Sequence, residues 1–361
     1  MQAGLEDVVA AETVLSDVDG LRGRLIVRGY ALHELTSWRF EAVAGLLFGG
    51  FFDALPDEAG FAAALGAARV RVFRHAAAID ADILALPVFE AMRALVARLP
   101  DGEDLETALD LLAAPAVFTA AVLRRKAGLA AIAPEAARGH AADMVRMLGH
   151  TPSEAAASAL NTYLVTVADH GLNASTFAAR VIASTRAGLT SSALAALSAL
   201  KGPLHGGAPG PVLDMLDAIG TPQHAEAWLT ATLDRGERLM GFGHRIYRVR
   251  DPRADALKAA LPLLAAGGAI DPGRLRLAER VEAEALKLLK ERKPDRPLDT
   301  NVEFFTAVLL EAIGVPREAF TAAFAAGRMA GWIAHSREQA QSWRIMRPQS
   351  TYVGPQPLVA A

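Results

Sequence analysis

From about residue 32 onward one rhythm dominates this chain: apolar residues recur three and four positions apart. ALHELTSWRFEAVAGLLF, EAGFAAALGAARVRVFRHAAAI, VFEAMRALVARL and DLETALDLLAAPAVFTAAVLRRKAGL all carry it, and that is the period of a helix with one buried face. Pro87, Pro100, Pro134 and Pro152 fall at the breaks between these stretches, where proline ends a helix. SEAAASALNTYLVTVADHG and STFAARVIASTRAGLTSSALAALSALKG are so apolar and so rich in small residues that they read as buried central helices, since small side chains let helix axes approach closely. The pattern continues in AEAWLTATLDRGERL, RADALKAALPLLAA, GRLRLAERVEAEALKLLKER, VEFFTAVLLEAIG and REAFTAAFAAGRMAGWIAHSREQA. Only ETVLSDVDGLRGRLIVRG, an Asp-Gly turn between two partly alternating runs, predicts antiparallel β structure, within residues 5–30. The expected fold is all-α with a short β element near the start. No solenoid repeat or heptad run is visible. The glycine-rich breaks near 202–210 and 241–243 follow no strand, so no dinucleotide or phosphate-loop fold is indicated.

At 361 residues, 52% hydrophobic and 21% charged, the chain can bury a sizeable core in two domains or in one with an insertion. Its 37 Lys and Arg against 40 Asp and Glu give a net charge of −3, which argues against coating nucleic acid or binding membranes through a basic surface. The absence of cysteine excludes disulfides and zinc-thiolate sites, and a reducing cytoplasm is the expected location. MQAGLEDVVAAE lacks the basic and apolar blocks of a secretory signal. Apolar runs such as AVAGLLFGGFF fall short of a membrane span of about 20 residues. A soluble protein with neither nucleic-acid nor membrane partners is expected, and any anion recognition must be local.

GFGHRIYRVRDPRADAL supplies such a locality, with one histidine and four arginines between Gly241 and Arg253. Three of the nine histidines stand against glycine at interruptions of long helices: His170 in ADHGLNAST, His205 in KGPLHGGAPG and His244 in GFGHR. Glycine lets backbone approach a ligand, and function is commonly carried on such breaks. No HExxH or comparable spacing suggests a metal, so neutral imidazoles acting as hydrogen-bond donors fit better. Each ring alone reads more simply as a cap or a carbonyl partner; His33, His75, His140, His150 and His224 keep that reading. Among the arginines, Arg245 and Arg250 are as readily solvated as functional. Arg328, between alanines and glycine on an apolar helix, is costly unless an anion meets it. Arg347 in RIMRPQST is a further candidate. Several guanidinium forks around one small molecule suggest a di- or tricarboxylate. In PLDTNVEFF, Asp299 or Thr300 is placed to cap a helix with Glu303 in its first turn, as a dipole partner or as a general base.

Together these segments resemble the citrate synthases. The resemblance runs nearly end to end and in family order, through GLEDVVAAETVLSDVDGLRGRLIVRGY, ADHGLNASTF, KGPLHGGAP, GFGHRIYRVRDPRA, NVEFF, GRMAGWIAHSREQ and RPQSTYVGP. It implies a two-domain helical fold: a large dimerisation domain of residues 1–206 plus 315–361, and a small domain of residues 207–314 that binds acyl-CoA and closes over a cleft. It implies a homodimer that condenses acetyl-CoA with oxaloacetate and hydrolyses citryl-CoA, as in the tricarboxylic acid cycle, with CoA as co-substrate and no metal or permanently bound cofactor.

Matched residue by residue, the resemblance gives His205 to the thioester oxygen, His244 to the oxaloacetate carbonyl and His170 to a further oxaloacetate contact. Arg253 and Arg328 match the guanidiniums that hold the oxaloacetate carboxylates, and Arg347 one supplied across the dimer interface. Arg248 falls where a CoA-phosphate contact is expected, and Arg296 near a second, more loosely. One position departs: the familiar base is the aspartate of NVD, and here Glu303 carries the carboxyl one methylene further out. Three readings follow: an offset backbone that keeps Glu303 as base, a cleft reshaped for propionyl-CoA as in 2-methylcitrate synthases, or a slow or inactive relative that binds oxaloacetate or CoA.

Overall fold

The computed structural model describes residues 8–203, 205–206 and 209–355. After the strands β1 (Ser16–Asp19), β2 (Arg24–Val27) and β3 (Tyr30–Ala31), the described residues form sixteen α-helices. They are α1 (Leu32–Leu35), α2 (Phe40–Phe48), α3 (Glu58–Phe73), α4 (Ala81–Ala85), α5 (Val88–Val96), α6 (Leu105–Lys126), α7 (His140–Met147) and α8 (Glu154–Val167). There follow α9 (Ala174–Ala183), α10 (Leu189–Leu200), α11 (Pro209–Ile219), α12 (Ala225–Asp234), α13 (Pro252–Ala266), α14 (Pro272–Arg292), α15 (Val302–Ala312) and α16 (Phe320–Gln341). Asp57, Asp80, Asp104, Ser153, Asn173, Asp251, Asp271 and Asn301 each cap a helix start through the side chain, a bond worth about 1 kcal/mol apiece.

The β element is an antiparallel meander. β1 pairs with β2 from Ser16↔Val27 to Asp19↔Arg24, and the turn returns the chain to β3 at Val27↔Tyr30. The third strand is too short to show as an alternating run. The beginning expected for the whole β element, residues 5–7, lies outside the described residues.

α6, flanked by α3, α5 and α16, is the middle of the core. By length and composition it could cross a membrane, which corrects the expectation that no apolar stretch is long enough; 78% of its most apolar window is buried inside the fold, so it is a core helix. Pro115 sits within it without ending it. STFAARVIASTRAGLTSSALAALSALKG is two helices, not one. Arg186 (φ 63°) and Gly188 (φ 100°) turn the chain between α9 and α10, which then pack on each other. The break is fixed from elsewhere: the Asp101 carboxylate accepts the Thr190 N–H at 2.8 Å and the Ser191 N–H at 3.1 Å. A Cβ on Gly188 would lie 2.1 Å from Asp101 Oδ1.

α16 crosses α8 at two glycines. A Cβ at Gly327 would lie 2.5 Å from Val167 Cγ2, and one at Gly331 2.5 Å from the Ala168 carbonyl oxygen. Hydrogen replaces a side chain at both positions, and the end of α8 rests directly on α16. On its other side α8 meets α13, which also packs on α15.

Candidate active site

The chain that leaves α8 is fixed atom by atom. Arg328 Nε donates to the Val167 carbonyl at 2.5 Å, and the Gly331 N–H donates to the Ala168 carbonyl at 3.1 Å. Asp169, buried, accepts from the Ser16 hydroxyl of β1 and lies 3.2 Å from His335 Nε2. Arg180 Nη1 stands 2.8 Å from His335 Nδ1. A guanidinium only donates, so Nδ1 accepts and the ring proton sits on Nε2, facing Asp169. Burial would raise the Asp169 carboxyl, but His335 and Arg328 outweigh it and hold it below its ordinary range. His170, the next residue, is presented by this clamp. Burial, with the positive charges of Arg253 and Arg328, keeps its ring well below the usual imidazole range and so neutral.

Opposite His170 lies the loop from Gly241 to Asp251. Gly241 (φ 85°) and Gly243 (φ 82°) adopt left-handed conformations, and a Cβ at Gly241 would meet Phe304 at 2.9 Å. The loop is stitched to the start of α15: the Gly243 N–H donates to the Asp299 carbonyl at 2.7 Å, and the Asn301 N–H to Gly241 at 2.9 Å. His244 Nδ1 accepts two main-chain N–H groups, Ile246 at 3.0 Å and Tyr247 at 3.2 Å. Burial, then Arg253, lowers its pKa to about 4. The neutral ring therefore carries its proton on Nε2. Arg253 Nη2 lies 3.2 Å from that nitrogen, while its other contacts go to Asp251 at 3.0 and 2.9 Å. Two donors thus face one another; Arg253 Nη2 has Asp251 as an acceptor, and the His244 Nε2–H is left to meet a ligand oxygen.

The His170 and His244 rings are 5.9 Å apart, centroid to centroid. His205 touches neither ring. Its Nε2 stands 2.8 Å from the Ser175 hydroxyl, which also accepts from the Trp332 indole at 3.1 Å. Burial, then Arg328, takes its pKa to about 4. Arg328 is the common element. It is 1% exposed, burial lowers its pKa to about 10, and its Nη2 finds no partner among the described residues. Its charge acts on Asp169, His170, His205 and Glu303.

Glu303 stands in the first turn of α15, where its N–H is capped by Asn301 at 3.0 Å, not by Asp299 or Thr300. Thr300 is committed elsewhere, to Glu282 at 2.8 Å and to a bridge with Phe242. Burial raises the Glu303 carboxyl, against Arg253 and Arg328, to about 7. A carboxylate so poised can take a proton near neutrality.

The remaining arginine candidates, Arg250 excepted, are exposed. Arg248 is exposed, tied to the hairpin by its main-chain N–H to the Gly20 carbonyl at 2.8 Å. Arg296 and Arg347 are exposed as well. Arg245 points to water, whereas Arg250 is structural, paired with Glu282 at 2.8 Å and with Asp255. A cavity of about 570 Å³ opens between α13, α8 and the corner joining β2 to α1, lined by His33, Ser158, Thr162 and Asp255 among others; none of the candidate site residues borders it. No cluster of three or more His, Asp or Glu among the described residues is placed to hold a metal.

Sequence reasoning missed Asp169, Tyr247, Ser175, Arg180 and His335. Their partners lie up to 168 positions away, and only the burial of charge in GRMAGWIAHSREQ hinted at them.

Comparison with known proteins identifies the family and the fold. The family model described as "Citrate synthase, C-terminal domain" matches residues 4–349. A citrate synthase of Haloferax volcanii is 36% identical over 378 aligned residues, covering 98% of this chain and 96% of the relative. A 2-methylcitrate synthase of Mycobacterium tuberculosis is 35% identical, covering 98% and 91%. The citrate synthase of Thermoplasma acidophilum, solved as a ternary complex with carboxymethyl coenzyme A and oxaloacetate, superposes with a TM-score of 0.83 at 28% identity, covering 99% of this chain and 97% of that one.

Proposed function

This chain belongs to the citrate synthase family, and we propose that it condenses acetyl-CoA with oxaloacetate and water to give citrate and CoA. One observation carries the reading: His244 Nε2–H and Arg253 Nη2 lie within 3.2 Å of each other, and a buried guanidinium nitrogen of Arg328 has no hydrogen-bond partner among the described residues. A small dianion bearing a ketone supplies an acceptor to each. His170, His244, Arg253 and Arg328 hold oxaloacetate. Arg347 of a second copy completes the set in a homodimer, and Arg248 and Arg296 meet the CoA phosphates. Residues 207–314 close as a small domain on residues 1–206 and 315–361.

The acyl-CoA methyl carbon is a very weak acid, so its proton must leave as charge is stabilised on the thioester oxygen. Glu303 takes that proton. The neutral His205 ring offers a hydrogen bond to the thioester oxygen. The enol carbon then bonds to the ketone carbon, whose oxygen His244 polarises, and closure keeps water away until the citryl thioester is hydrolysed. CoA leaves as the thiol, and no permanently bound cofactor takes part. The similarity to a 2-methylcitrate synthase supports a second reading, with propionyl-CoA as the acyl donor.

Thiol release from acetyl-CoA that requires oxaloacetate is the expected result of a spectrophotometric assay. A larger kcat/KM with propionyl-CoA moves the assignment to 2-methylcitrate. No thiol from either acyl-CoA, with oxaloacetate still bound in calorimetry, leaves a binding protein for oxaloacetate. Cytoplasmic location is proposed on the absence of cysteine.

A further inference from the structure

We infer that Tyr247 is a positioning residue for the keto-diacid, acting through His170. Its hydroxyl lies 3.1 Å from His170 Nε2, joining the clamped end of α8 to the loop that carries His244. Its ring packs on both imidazoles, with centroids 4.9 Å from His244 and 5.6 Å from His170, and the Arg253 guanidinium lies 5.9 Å from the ring centre. Tyr247 thus touches three of the four side chains assigned to oxaloacetate, while being only 2% exposed.

The direction of the hydrogen bond follows from the neighbours. Burial raises the phenol pKa, so the hydroxyl keeps its proton, and the buried His170 ring is neutral. With the phenol donating, Nε2 is occupied as an acceptor and the ring proton is placed on Nδ1. Rotation of the imidazole is opposed as well, because the hydroxyl holds Nε2 while the Tyr247 ring packs against the imidazole. Without the hydroxyl both tautomers and both ring flips become available, and only a fraction of the molecules present the donor that the substrate needs.

This inference rests on the oxaloacetate reading above, and the experiment separates the two. Oxaloacetate affinity is measured by calorimetry for the wild type, Tyr247→Phe, His170→Ala and the double variant, with KM for acetyl-CoA and the melting temperature as controls. Tyr247→Phe keeps the ring packed on His244 and removes only the hydroxyl. The expected result is roughly tenfold weaker oxaloacetate binding in Tyr247→Phe, the loss conventional for one hydrogen bond. The acetyl-CoA KM and melting temperature stay nearly unchanged. In the His170→Ala background the same substitution changes affinity less than about twofold, because coupled residues are not additive. Equal affinity in wild type and Tyr247→Phe overturns the inference, and so does an identical loss in both backgrounds, which would mean that the phenol contacts the substrate itself. A wild type that binds no oxaloacetate overturns the parent reading along with it.

Discussion

Glu303 carries two opposing demands in one carboxyl. A base must be ionised when the substrate arrives, yet burial penalises the ion, and the two balance at a pKa of about 7 against an ordinary 4.5. The protein's stability records the conflict. Below pH 4.5 the group is neutral in both folded and unfolded chains and costs nothing. Between 4.5 and 7 the unfolded chain ionises while the folded one does not, so stability falls. Above 7 the penalty is complete, at about 3 kcal/mol as an upper limit. Glu303→Gln should therefore melt with the wild type at pH 4, progressively above it from pH 5 to 7, and by a constant margin beyond; a margin independent of pH would show that the carboxyl is not buried as an ion. The same variant should lose turnover while keeping oxaloacetate affinity. In the wild type, kcat/KM for thiol release should fall as pH drops through 7, since His205 and His244, near 4, stay neutral across that range. A profile flat down to pH 5 would remove Glu303 from the role of base.

At the scale of elements, α16 is the template on which the site is laid out. Successive turns present Arg328 to Val167, Gly331 to Ala168, Trp332 to Ser175, His335 to Asp169 and Gln339 to Arg180. Gly331→Ala would set a methyl 2.5 Å from the Ala168 carbonyl and from Asp169 Oδ1, atoms that cannot move without shifting His170. A loss of about 1–3 kcal/mol is expected from overpacking, with oxaloacetate KM raised on the order of tenfold or more, given what small misplacements cost. Gly45→Ala is the control: its Cβ would meet Phe61 at 3.8 Å, and the helix preference of alanine should leave stability equal or better. Melting curves and KM values of the pair decide; a harmless Gly331→Ala would mean that α16 does not set His170.

The same element shows what could be read in advance. The breaks carrying His170, His205 and His244, and the misfit of Arg328 on an apolar helix, are local signals of residue type and neighbour. The Asp169–His335–Arg180 chain, the break between α9 and α10 and the cap at Asn301 depend on groups brought together by folding. Asp101 caps α10 across 89 positions of sequence, and no periodicity within α10 could announce it.

For the whole molecule the open question is whether one chain makes a complete site. Arg347 lies in the stretch after α16 that has neither helix nor strand, anchored by the Met346 N–H to Ser184 at 2.9 Å and by Trp343 over the Arg186 guanidinium at 4.1 Å. Trp343 is 79% exposed and Ile345 60%, and apolar side chains so exposed on one chain commonly face another. A homodimer that exchanges this arginine makes a quantitative prediction. Arg347→Ala alone should weaken oxaloacetate binding, and Glu303→Gln alone should abolish turnover. Unfolded together at equal amounts and refolded, the two variants form mixed dimers in which one site carries both lesions and the other carries neither. Random pairing then restores about a quarter of wild-type activity, because symmetric dimers exchange equivalent contacts. If Arg347 instead serves its own chain, each site of the mixed dimer keeps one lesion and activity stays at the mean of the two variants. Thiol release before and after co-refolding, read alongside the mass of the assembly in solution, distinguishes the two arrangements.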